Sequence, residues 1–452
     1  MSTTRERWYQ QLTAYQWWVL IVATLGWLFD TMDQRLFVLG RSRALEELLG
    51  AQATPANVRF YGSIATAMML IGWATGGLIF GTLGDRLGRA KTLMLTVGTY
   101  SLFTGLSGLS LSWWDFTLYR FLTGLGVGGA FAAAVTLVAE EMPDRARPHA
   151  LGLLQALSAV GNITGSLVGF ALLPVSLQLG LNFLPDGAVH GWRLMFGVGV
   201  LPALLVVLIM TTIREPQAWV AARQAAKEAA RAGTPTTKLG SWREMWADPR
   251  WRRNTLVGVW FVLVGAVGLW AIGFWSPELI RGNVLANATK EHQDRVSAIA
   301  TALQDVGAFF GILAFTWITA HIGRRKAFAL SFILAFLVTS GIFGLMNREW
   351  QIYIATPLLG FATLAPFGGY AIYLPELYPT RLRSTGTGFC YNVARYLTAA
   401  GVFFMGTLTV LFTSLGFTEP FRWATVSVAF IYLAGLLALP AAPETKDKPL
   451  PE

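Results

Sequence analysis

Apolar residues run along this chain in long stretches that are separated by short polar segments. Twelve of them reach or approach the roughly 20 residues that an α-helix needs to cross about 30 Å of hydrocarbon. They lie at 8–29, 60–84, 92–114, 121–139, 148–185, 194–213, 254–277, 306–320, 327–347, 351–375, 396–418 and 423–443. The first, fourth, eighth and eleventh continue past a charged residue, so we expect longer helices there. The pattern predicts an all-α membrane protein with twelve transmembrane helices.

Composition agrees with a chain that resides in lipid. Hydrophobic residues make up 54% of the 452 residues, charged residues only 13%, and the mean hydropathy is +0.50, whereas soluble domains carry roughly 25% charged residues. The first apolar stretch is too long for a signal peptide and ends in Asp30 instead of a small-residue cleavage site. We therefore expect it to be retained as a span.

The distribution of positive charge predicts the orientation. An even number of spans puts both termini on one side, and the segments on that side carry 23 lysines and arginines, against 9 in the opposite loops. Because cytoplasmic loops are enriched in these residues, we expect both termini in the cytoplasm and a multi-pass protein of the plasma membrane, which in a bacterium is the inner membrane. The net charge of +10 follows from this topology, so nucleic acid is not an expected partner.

Residue types that support metal or covalent chemistry are sparse. Cys390 is the single cysteine, which excludes a disulfide scaffold or a zinc cluster. The four histidines fall near span ends and far apart in sequence, at His149, His190, His292 and His321. The sequence offers no nucleophile cluster, metal-ligand set or cofactor loop, so it predicts no metal, no cofactor and no enzyme.

The two halves of the chain repeat each other. At an offset of 236, EEMPDRARPHALG (140–152) aligns with ELYPTRLRSTGTG (376–388), and at 235 the basic turn GTLGDRLGRAK (81–91) aligns in part with AHIGRRK (320–326). A polar interval rich in alanine separates the halves. We predict a six-helix bundle over 1–213, a cytoplasmic linker over 214–253 and a second six-helix bundle over 254–452.

The basic turn at 81–91 matches the G-x-x-x-D-R-x-G-R-x-K loop signature of the major facilitator superfamily, and RFLTGLGVGGA (120–130) matches its fourth-helix R-x-x-x-G-x-G pattern. The chain resembles this superfamily over essentially its whole length, and parallel six-helix repeats are typical of the fold. The resemblance implies transport by alternating access, with a monomer as the functional unit.

The same resemblance implies a cytoplasmic gate whose charged contacts hold one conformation. Asp85 is its central member, and Arg145 and Arg381, after the fourth and tenth spans, are its expected partners. The alternative is a solvated loop that carries only the charges of a cytoplasmic side. The predicted gating residues are Gly81, Asp85, Arg86, Gly88, Arg89, Arg145, Glu376 and Arg381.

Ionisable side chains within spans are costly in lipid and usually serve function. Asp30 and Asp33 are three residues apart and share a helical face. Counting about 1.5 Å per residue from the outer span ends puts Asp30 ~13 Å deep and Arg120 ~10 Å deep. We hypothesise that Asp30 takes up a proton, with Asp33 as the second candidate. Arg120 then either forms an ion pair with this carboxylate or binds an anionic substrate. A static structural ion pair is the alternative.

Other polar and aromatic side chains within spans are candidates for the substrate site. Tyr391 and Arg395 share a face of the eleventh span that Asn392 borders, and an arginine in each half suits a carboxylate because a guanidinium offers paired donors. The alternative is that Arg395 forms an ion pair with Asp305 or contacts lipid headgroups. The predicted substrate-binding residues are Arg120, Gln155, Asn162, Trp270, Gln304, Asp305, Tyr370, Tyr391, Asn392 and Arg395.

The substrate class follows from the resemblance. The segments at 373–395 and 26–33 are similar to the carboxylate branches: aromatic acid:proton symporters, lactate and pyruvate permeases and sialic acid transporters. Sugar porters share the P-E-x-x-P-T-R-x-R element but carry a paired glutamine in the seventh helix, which is absent from 260–280. We predict proton symport of a monocarboxylate, aromatic acid or acidic sugar. Transport of a sugar or another neutral solute is the alternative, and a transporter-derived sensor is a third hypothesis.

Overall fold

The computed structural model of this chain describes residues 7–178, 188–232, 238–270 and 276–451. Within these ranges it leaves out the side chains at 55, 59, 270, 278, 294 and 399–406. Helices make up nearly all of the described regular structure, so the predicted all-α class is confirmed.

In the described part of the first half, the fifth and sixth spans are each built from two consecutive helices. The helices are α1 (Ala14–Leu49), α2 (Pro55–Leu87), α3 (Arg89–Gly108), α4 (Trp113–Glu141), α5 (Arg147–Ala156), α6 (Ser158–Leu172), α7 (Gly191–Val198) and α8 (Ala203–Thr212). Short 3-10 turns, Trp8–Gln10 and Gly50–Gln52, flank α1.

The polar interval and the second half supply the remaining helices. They are α9 (Gln217–Arg231), α10 (Trp242–Ala247), α11 (Pro249–Trp270), α12 (Ser276–Leu279), α13 (Lys290–Ile322), α14 (Arg324–Leu345), α15 (Glu349–Glu376), α16 (Arg383–Ser414), α17 (Pro420–Ala429) and α18 (Ile431–Ala434). A π-turn, Ile280–Val284, follows α12, and a 3-10 turn, Gly435–Ala438, extends α18. The boundaries at 213 and 254 stay predictions.

Each predicted span has a helical counterpart. Among the described residues, nine helices or helix pairs are long and apolar enough to cross a membrane. The other three predicted spans correspond to α1, α3 and α16, which have 36, 20 and 32 residues. Because α1 contains charged side chains, it is less apolar than those nine spans, although it runs the length of the bundle.

Local sequence explains where several spans begin. At the start of α1, the Thr13 side chain accepts a hydrogen bond from the Gln16 backbone, and the Gln16 side chain accepts one from the Thr13 backbone. Ser112 and Asp115 form the same reciprocal arrangement at the start of α4. Such capping boxes satisfy N–H groups that the first helical turn leaves free.

The fifth predicted span ends earlier in the structure, while the first, eighth and eleventh are longer than their apolar stretches, as expected. The helices within 148–185 end at Leu172, and strand β1 (Ser176–Gln178) then pairs antiparallel with β2 (Ala188–His190); residues 179–185 lie outside the described part. The first span reaches Leu49 instead of residue 29, because Asp30 and Asp33 are buried within the bundle and do not end the helix.

The two basic turns of the repeat have the same local structure. Gly88 and Gly323 adopt positive φ angles of 120° and 93°, which favour glycine. Glu215 accepts hydrogen bonds from the first backbone N–H groups of α3, and Glu444 does so at the start of α14. A carboxylate at a helix N-terminus satisfies free donors and interacts well with the helix dipole. The repeat seen in sequence is therefore also a structural repeat.

Glycines bring α2 and α4 into backbone contact within the first half. A Cβ on Gly128 would lie 1.9 Å from the Trp73 carbonyl oxygen, and a Cβ on Gly76 would lie 1.9 Å from the Leu125 carbonyl oxygen. Small residues permit such close packing in lipid. These two spans are therefore held as one rigid unit.

Gly128→Ala should lower the free energy of unfolding by about 1–3 kcal/mol, because the added methyl overpacks this contact. Thermal unfolding of the purified protein, followed by tryptophan fluorescence, measures the change. Gly197→Ala is the matched control, since a Cβ there would meet no atom within 4 Å. Equal unfolding temperatures for the two variants would contradict the packing argument.

Candidate functional site

Both ends of the described chain lie at one face of the helix bundle, which we call the terminal face. Near the start, the Gln16 Nε2 donates to the Glu141 carbonyl at the end of α4, 2.9 Å away. Near the other end, Arg383 donates to the Pro451 carbonyl at 3.0 Å. The terminal face also holds the basic turns, so it is where the predicted gate lies.

Asp85 joins the two halves at this face. It is fully buried in the last turn of α2 and accepts hydrogen bonds from the backbone N–H groups of Ser384 and Thr385 at 3.1 and 2.8 Å. The Thr385 hydroxyl donates to it as well, at 2.6 Å. These donors belong to the first turn of α16, where the helix dipole favours a negative charge. One carboxylate thus binds a helix of the other half.

Glu140 forms a second connection between the halves. Its carboxylate receives Arg89 of the first half at 2.8–2.9 Å and Arg383 of the second half at 2.6 Å, and all three side chains are at most 1% exposed. Arg89 also donates to the Thr380 carbonyl of the second half at 2.5 Å. Charge-assisted hydrogen bonds of this kind are stronger than neutral ones, so the terminal face is closed.

The second half has a related contact that stays within that half. Glu376 accepts hydrogen bonds from Arg324 at 2.8 and 3.0 Å and from the Thr445 hydroxyl at 2.6 Å.

Burial alone would raise the pKa of Glu444, but backbone N–H groups of Arg324, Lys446 and Arg325 bind the carboxylate and hold its pKa below the usual value. The Glu444 carboxylate therefore stabilises the folded tail at pH values above the pKa that Glu444 has in the unfolded chain. This contribution is lost as the pH falls through the pKa of Glu444 in the folded protein.

The linker also crosses the terminal face. The Trp242 indole of α10 donates to Thr82 of α2 at 2.9 Å, while its ring packs edge-on against Phe389 of α16. Glu244 pairs with Arg381 at 2.9 Å. The sequence did not indicate this role for the linker, because an indole that bridges two helices has no local signature.

The remaining predicted gating residues differ in their surroundings. Gly81 lies against α16, where a Cβ would be 3.1 Å from the Ser384 carbonyl oxygen. Arg86 donates to the Leu239 carbonyl of the linker. Arg145 is exposed and takes no part in the contacts described above. The second-half arginine that bridges to the first half is Arg383, which we did not select.

Arg120 pairs with Asp33 instead of Asp30, the partner that we predicted. Its Nη1 lies 3.5 Å from the Asp33 carboxylate, and both residues are at most 1% exposed. Ser107 and Thr123 accept further hydrogen bonds from the guanidinium, and Phe196 lies beneath it at 4.7 Å. Asp33 is one helical turn farther from the terminal face than Asp30, which puts it level with Arg120. The pair lies inside the first-half bundle.

Asp30 is fully buried, and neither of its carboxylate oxygens has a hydrogen-bond partner among the described residues. The Gln34 amide nitrogen, which has no partner within hydrogen-bond distance in this part of the chain, is the side-chain donor that acts on the Asp30 carboxylate. Asp33 and Arg395 are the charged groups whose fields act on Asp30. An ionised carboxylate without donors or a paired cation is costly in a low-dielectric interior.

A partly exposed ion pair connects the halves near the middle of α1 and α13. Arg35 of α1 lies 2.7 Å from Asp305 of α13, with 19% and 13% of the side chains exposed. Asn162 of α6 donates weakly to the same carboxylate at 3.4 Å. Arg35, and not Arg395 as in one of our two alternatives, is therefore the residue that pairs with Asp305.

Arg395 lies near the middle of the bundle, about a dozen residues into α16. Its guanidinium carbon is 4.0 Å from the Trp73 ring centroid and 4.3 Å from that of Tyr391. It donates to the Asn392 side chain and to its own helix backbone, while Nε has no partner among the described atoms. No described carboxylate lies within the 4.0 Å ion-pair distance of it.

Aromatic rings of both halves meet beside this arginine. Tyr391 stacks on Phe131 of α4 with ring centroids 3.7 Å apart, and Trp27 of α1 lies 5.1 Å from Phe131. All three rings are buried. The stack therefore closes the interior between Arg395 and the terminal face.

The other predicted substrate-binding residues are spread over the bundle. Gln155 is buried on α5, and Gln304 accepts a hydrogen bond from Ser276. Tyr370 is fully buried in the second-half core and donates to the Phe261 carbonyl at 2.6 Å. Trp270 is the last residue of α11, and its side chain lies outside the described part. Asn392 is buried against the first half and does not face open space.

A family model described as "Sugar (and other) transporter" matches residues 37–245 and 259–447 of the chain. The chain belongs to this transporter family. The cis,cis-muconate transport protein of Acinetobacter baylyi is 30% identical to it over 329 residues, which cover 72% of this chain and 73% of that protein. The probable 4-methylmuconolactone transporter of Cupriavidus pinatubonensis is 29% identical over 417 residues, covering 92% and 88%.

The fold comparison agrees. The proton:xylose symporter XylE, a major facilitator superfamily protein solved with 6-bromo-6-deoxy-D-glucose, superposes with a TM-score of 0.76 at 18% identity, covering 97% of this chain and 98% of that one. The predicted superfamily and the twelve-helix fold are therefore confirmed. The chain is a multi-pass membrane transporter, not an enzyme, and its relatives include transporters of organic acids.

Functional residues that sequence reasoning missed were visible in the repeat or in a span. Glu140 and Arg383 lie in the aligned segments 140–152 and 376–388, and Arg35 lies within the first span. The sequence did not indicate which residue each of these side chains pairs with. In this transporter those partners come from the other half of the chain.

Asp85→Asn should shift the transporter toward a state with an open terminal face, because a neutral amide binds the α16 N-terminus less strongly. In a Cys390→Ser background, alkylation of Ser384→Cys, a near-isosteric change at a residue that is fully buried in the closed terminal face, should become several-fold faster. Asp144→Asn is the control, since Asp144 forms its ion pair with Arg147 of its own half. Unchanged alkylation and transport rates in Asp85→Asn would rule out the gate.

Proposed function

We propose that the protein is a proton-coupled symporter of a small organic anion that works by alternating access. The observation that carries the proposal is the partly buried Arg395 guanidinium, which lacks an ion-pair partner among the described residues and is framed by Trp73 and Tyr391. The terminal face is assigned to the cytoplasm, in the plasma membrane of a bacterium. The functional unit is taken to be a monomer in the lipid bilayer, as the family resemblance implies.

Arg395 is suited to a carboxylate for two reasons. A charge at the bilayer centre is costly unless it is matched, and here a bound anion would supply the match. The two aromatic rings hold the guanidinium plane in place, so its free Nε and the adjacent donors have a fixed direction. A planar unsaturated or aromatic acid would contact the same rings.

Asp30 is the proposed site of the coupling proton, with Asp33 second. Asp30 is buried without a donor to its oxygens, which favours the protonated carboxyl in this closed conformation. Asp33 already pairs with Arg120 inside the bundle. We therefore assign Arg120 and Asp33 mainly to holding α1 against α4, and the proton exchange to Asp30.

The relatives support an acid as substrate, since two of them are described as transporting muconate and 4-methylmuconolactone. A sugar or another neutral solute remains the second candidate because XylE, which shares the fold, is a xylose symporter. A thermal-shift screen of the purified protein separates the two. Stabilisation by benzoate, cis,cis-muconate or nicotinate but not by D-xylose, stronger at the lower of two pH values, is expected.

Arg395→Lys should weaken anion binding about 10- to 100-fold, because lysine keeps the charge but loses the planar paired donors and the ring contacts. Titration calorimetry with benzoate and cis,cis-muconate measures the affinity. Arg41→Lys is the control, since Arg41 also contacts an aromatic ring, Phe37, but lies away from this region. Equal affinity in Arg395→Lys and the wild type would exclude Arg395 as the anion anchor.

Asp30→Asn should abolish accumulation of the anion against its gradient while sparing exchange of external for internal anion. The amide cannot release a proton, yet it keeps the shape of the neutral carboxyl. Uptake into proteoliposomes, with and without an inward proton gradient, tests both activities. Asp144→Asn should behave as the wild type, and gradient-driven accumulation by Asp30→Asn would remove Asp30 from the coupling step.

A further inference from the structure

Asn392 is a fully buried polar residue next to the proposed anion anchor. Its amide nitrogen donates to the Gly388 carbonyl at 2.8 Å and, across the interface between the halves, to the Gly128 carbonyl at 3.4 Å. Its amide oxygen accepts a hydrogen bond from Arg395 at 3.0 Å. One side chain thus contacts both the anchor and the first half.

Asn392 fits a notch in α2 that glycine creates. A Cβ on Gly77 would lie 1.9 Å from the Asn392 amide nitrogen, so any other residue at position 77 would displace this side chain. Gly77 is itself one turn from Gly81, which lies against Ser384 and Gly388 of α16. The notch is therefore one end of a close contact between the two helices.

We name this contact the α2–α16 seam. It consists of Gly77, Gly81, Gly84 and Asp85 on α2 and Ser384, Thr385, Gly388 and Asn392 on α16. Along α16, the residues 384, 388 and 392 recur every four positions, so they form one stripe. The seam runs from the midpoint of the bundle, at Asn392, to the closed terminal face, at Asp85. Opening the terminal face requires that the seam separate.

From this geometry we propose that Asn392 is a positioning residue that couples anion binding at Arg395 to separation of the α2–α16 seam. The inference rests on the proposed function of Arg395 as the anion anchor. In this closed conformation, Arg395 donates a hydrogen bond to the Asn392 oxygen and so keeps the amide in the notch. A carboxylate that binds the guanidinium competes for its N–H donors, which frees Asn392 to leave the notch.

Two substitutions of Asn392 test its contact with Arg395 and its contact with the first half separately. Asn392→Ala removes both contacts, so the anion should still bind, with its affinity within about threefold of the wild type, but binding should no longer affect the seam. Asn392→Asp keeps an oxygen toward Arg395 but puts a negative charge on it, so anion affinity should fall at least tenfold. Asn392→Asp therefore tests the contact with Arg395, while Asn392→Ala tests whether anion binding is linked to the seam.

The measurement is the distance between spin labels on the two halves at the terminal face. Lys91→Cys and Lys326→Cys, at exposed equivalent positions of the two repeats, are labelled in a Cys390→Ser background. Double electron–electron resonance then gives the distance distribution without ligand and with saturating benzoate or cis,cis-muconate. In the wild type, the anion should raise the population with the longer distance. In Asn392→Ala, the distribution should not respond.

Asn254→Ala is the matched control. Asn254 is also a buried asparagine of the second half that donates to a backbone carbonyl, that of Leu377, but it contacts neither Arg395 nor α2. This variant should respond to the anion as the wild type does. Gly77→Ala, which fills the notch from the first half, should reproduce the loss of response seen in Asn392→Ala.

The outcomes are distinguishable. If the wild type binds neither anion by calorimetry, the proposed function fails, and this inference fails with it. If the wild type binds an anion and Asn392→Ala shows the same anion-induced distance change, the inference is overturned while the proposed function stands. A response that is lost equally in Asn254→Ala would also overturn it, because any buried asparagine would then have the same effect.

Discussion

The cost of burying charge in a low-dielectric interior is the constraint on which this structure depends. The two buried carboxylates that join the halves at the terminal face each have donors from two helices: Asp85 has Arg89 of α3 and the first turn of α16, and Glu140 has arginines of both halves. Breaking a buried pair leaves an uncompensated charge, which is strongly unfavourable. The halves can therefore separate at this face only when water enters and replaces those donors.

Near the middle of the bundle, the same constraint is only partly met. Asp30 has no donor among the described residues, and Arg395 has aromatic rings in place of a carboxylate. Unmatched ionisable groups within a membrane are expensive to maintain and therefore point to function. Under the proposed function, a proton and an anion are the species that complete this site.

Glycine has two different uses in this bundle. Between α2 and α4, it brings backbones together within one half, where no movement is required. Between α2 and α16, it leaves room for a polar side chain, Asn392, which interacts with both halves. The first contact is backbone packing within one half, while the second includes hydrogen bonds between the halves and is the one that must separate under the proposed coupling.

The sequence alone determined the membrane class, the twelve spans, the repeat and the transporter superfamily, because hydrophobic length and the spacing of glycines and charges are local properties of the chain. It also located the basic turns and Asp85 at the end of the bundle where both termini lie. Tertiary structure alone decided which charges meet: Arg120 binds Asp33, Asp305 binds Arg35, and Glu140 receives Arg383. Ion pairs between helices depend on the rotation and depth of each helix, and a shift of one turn, about 5.4 Å, exchanges one partner for another.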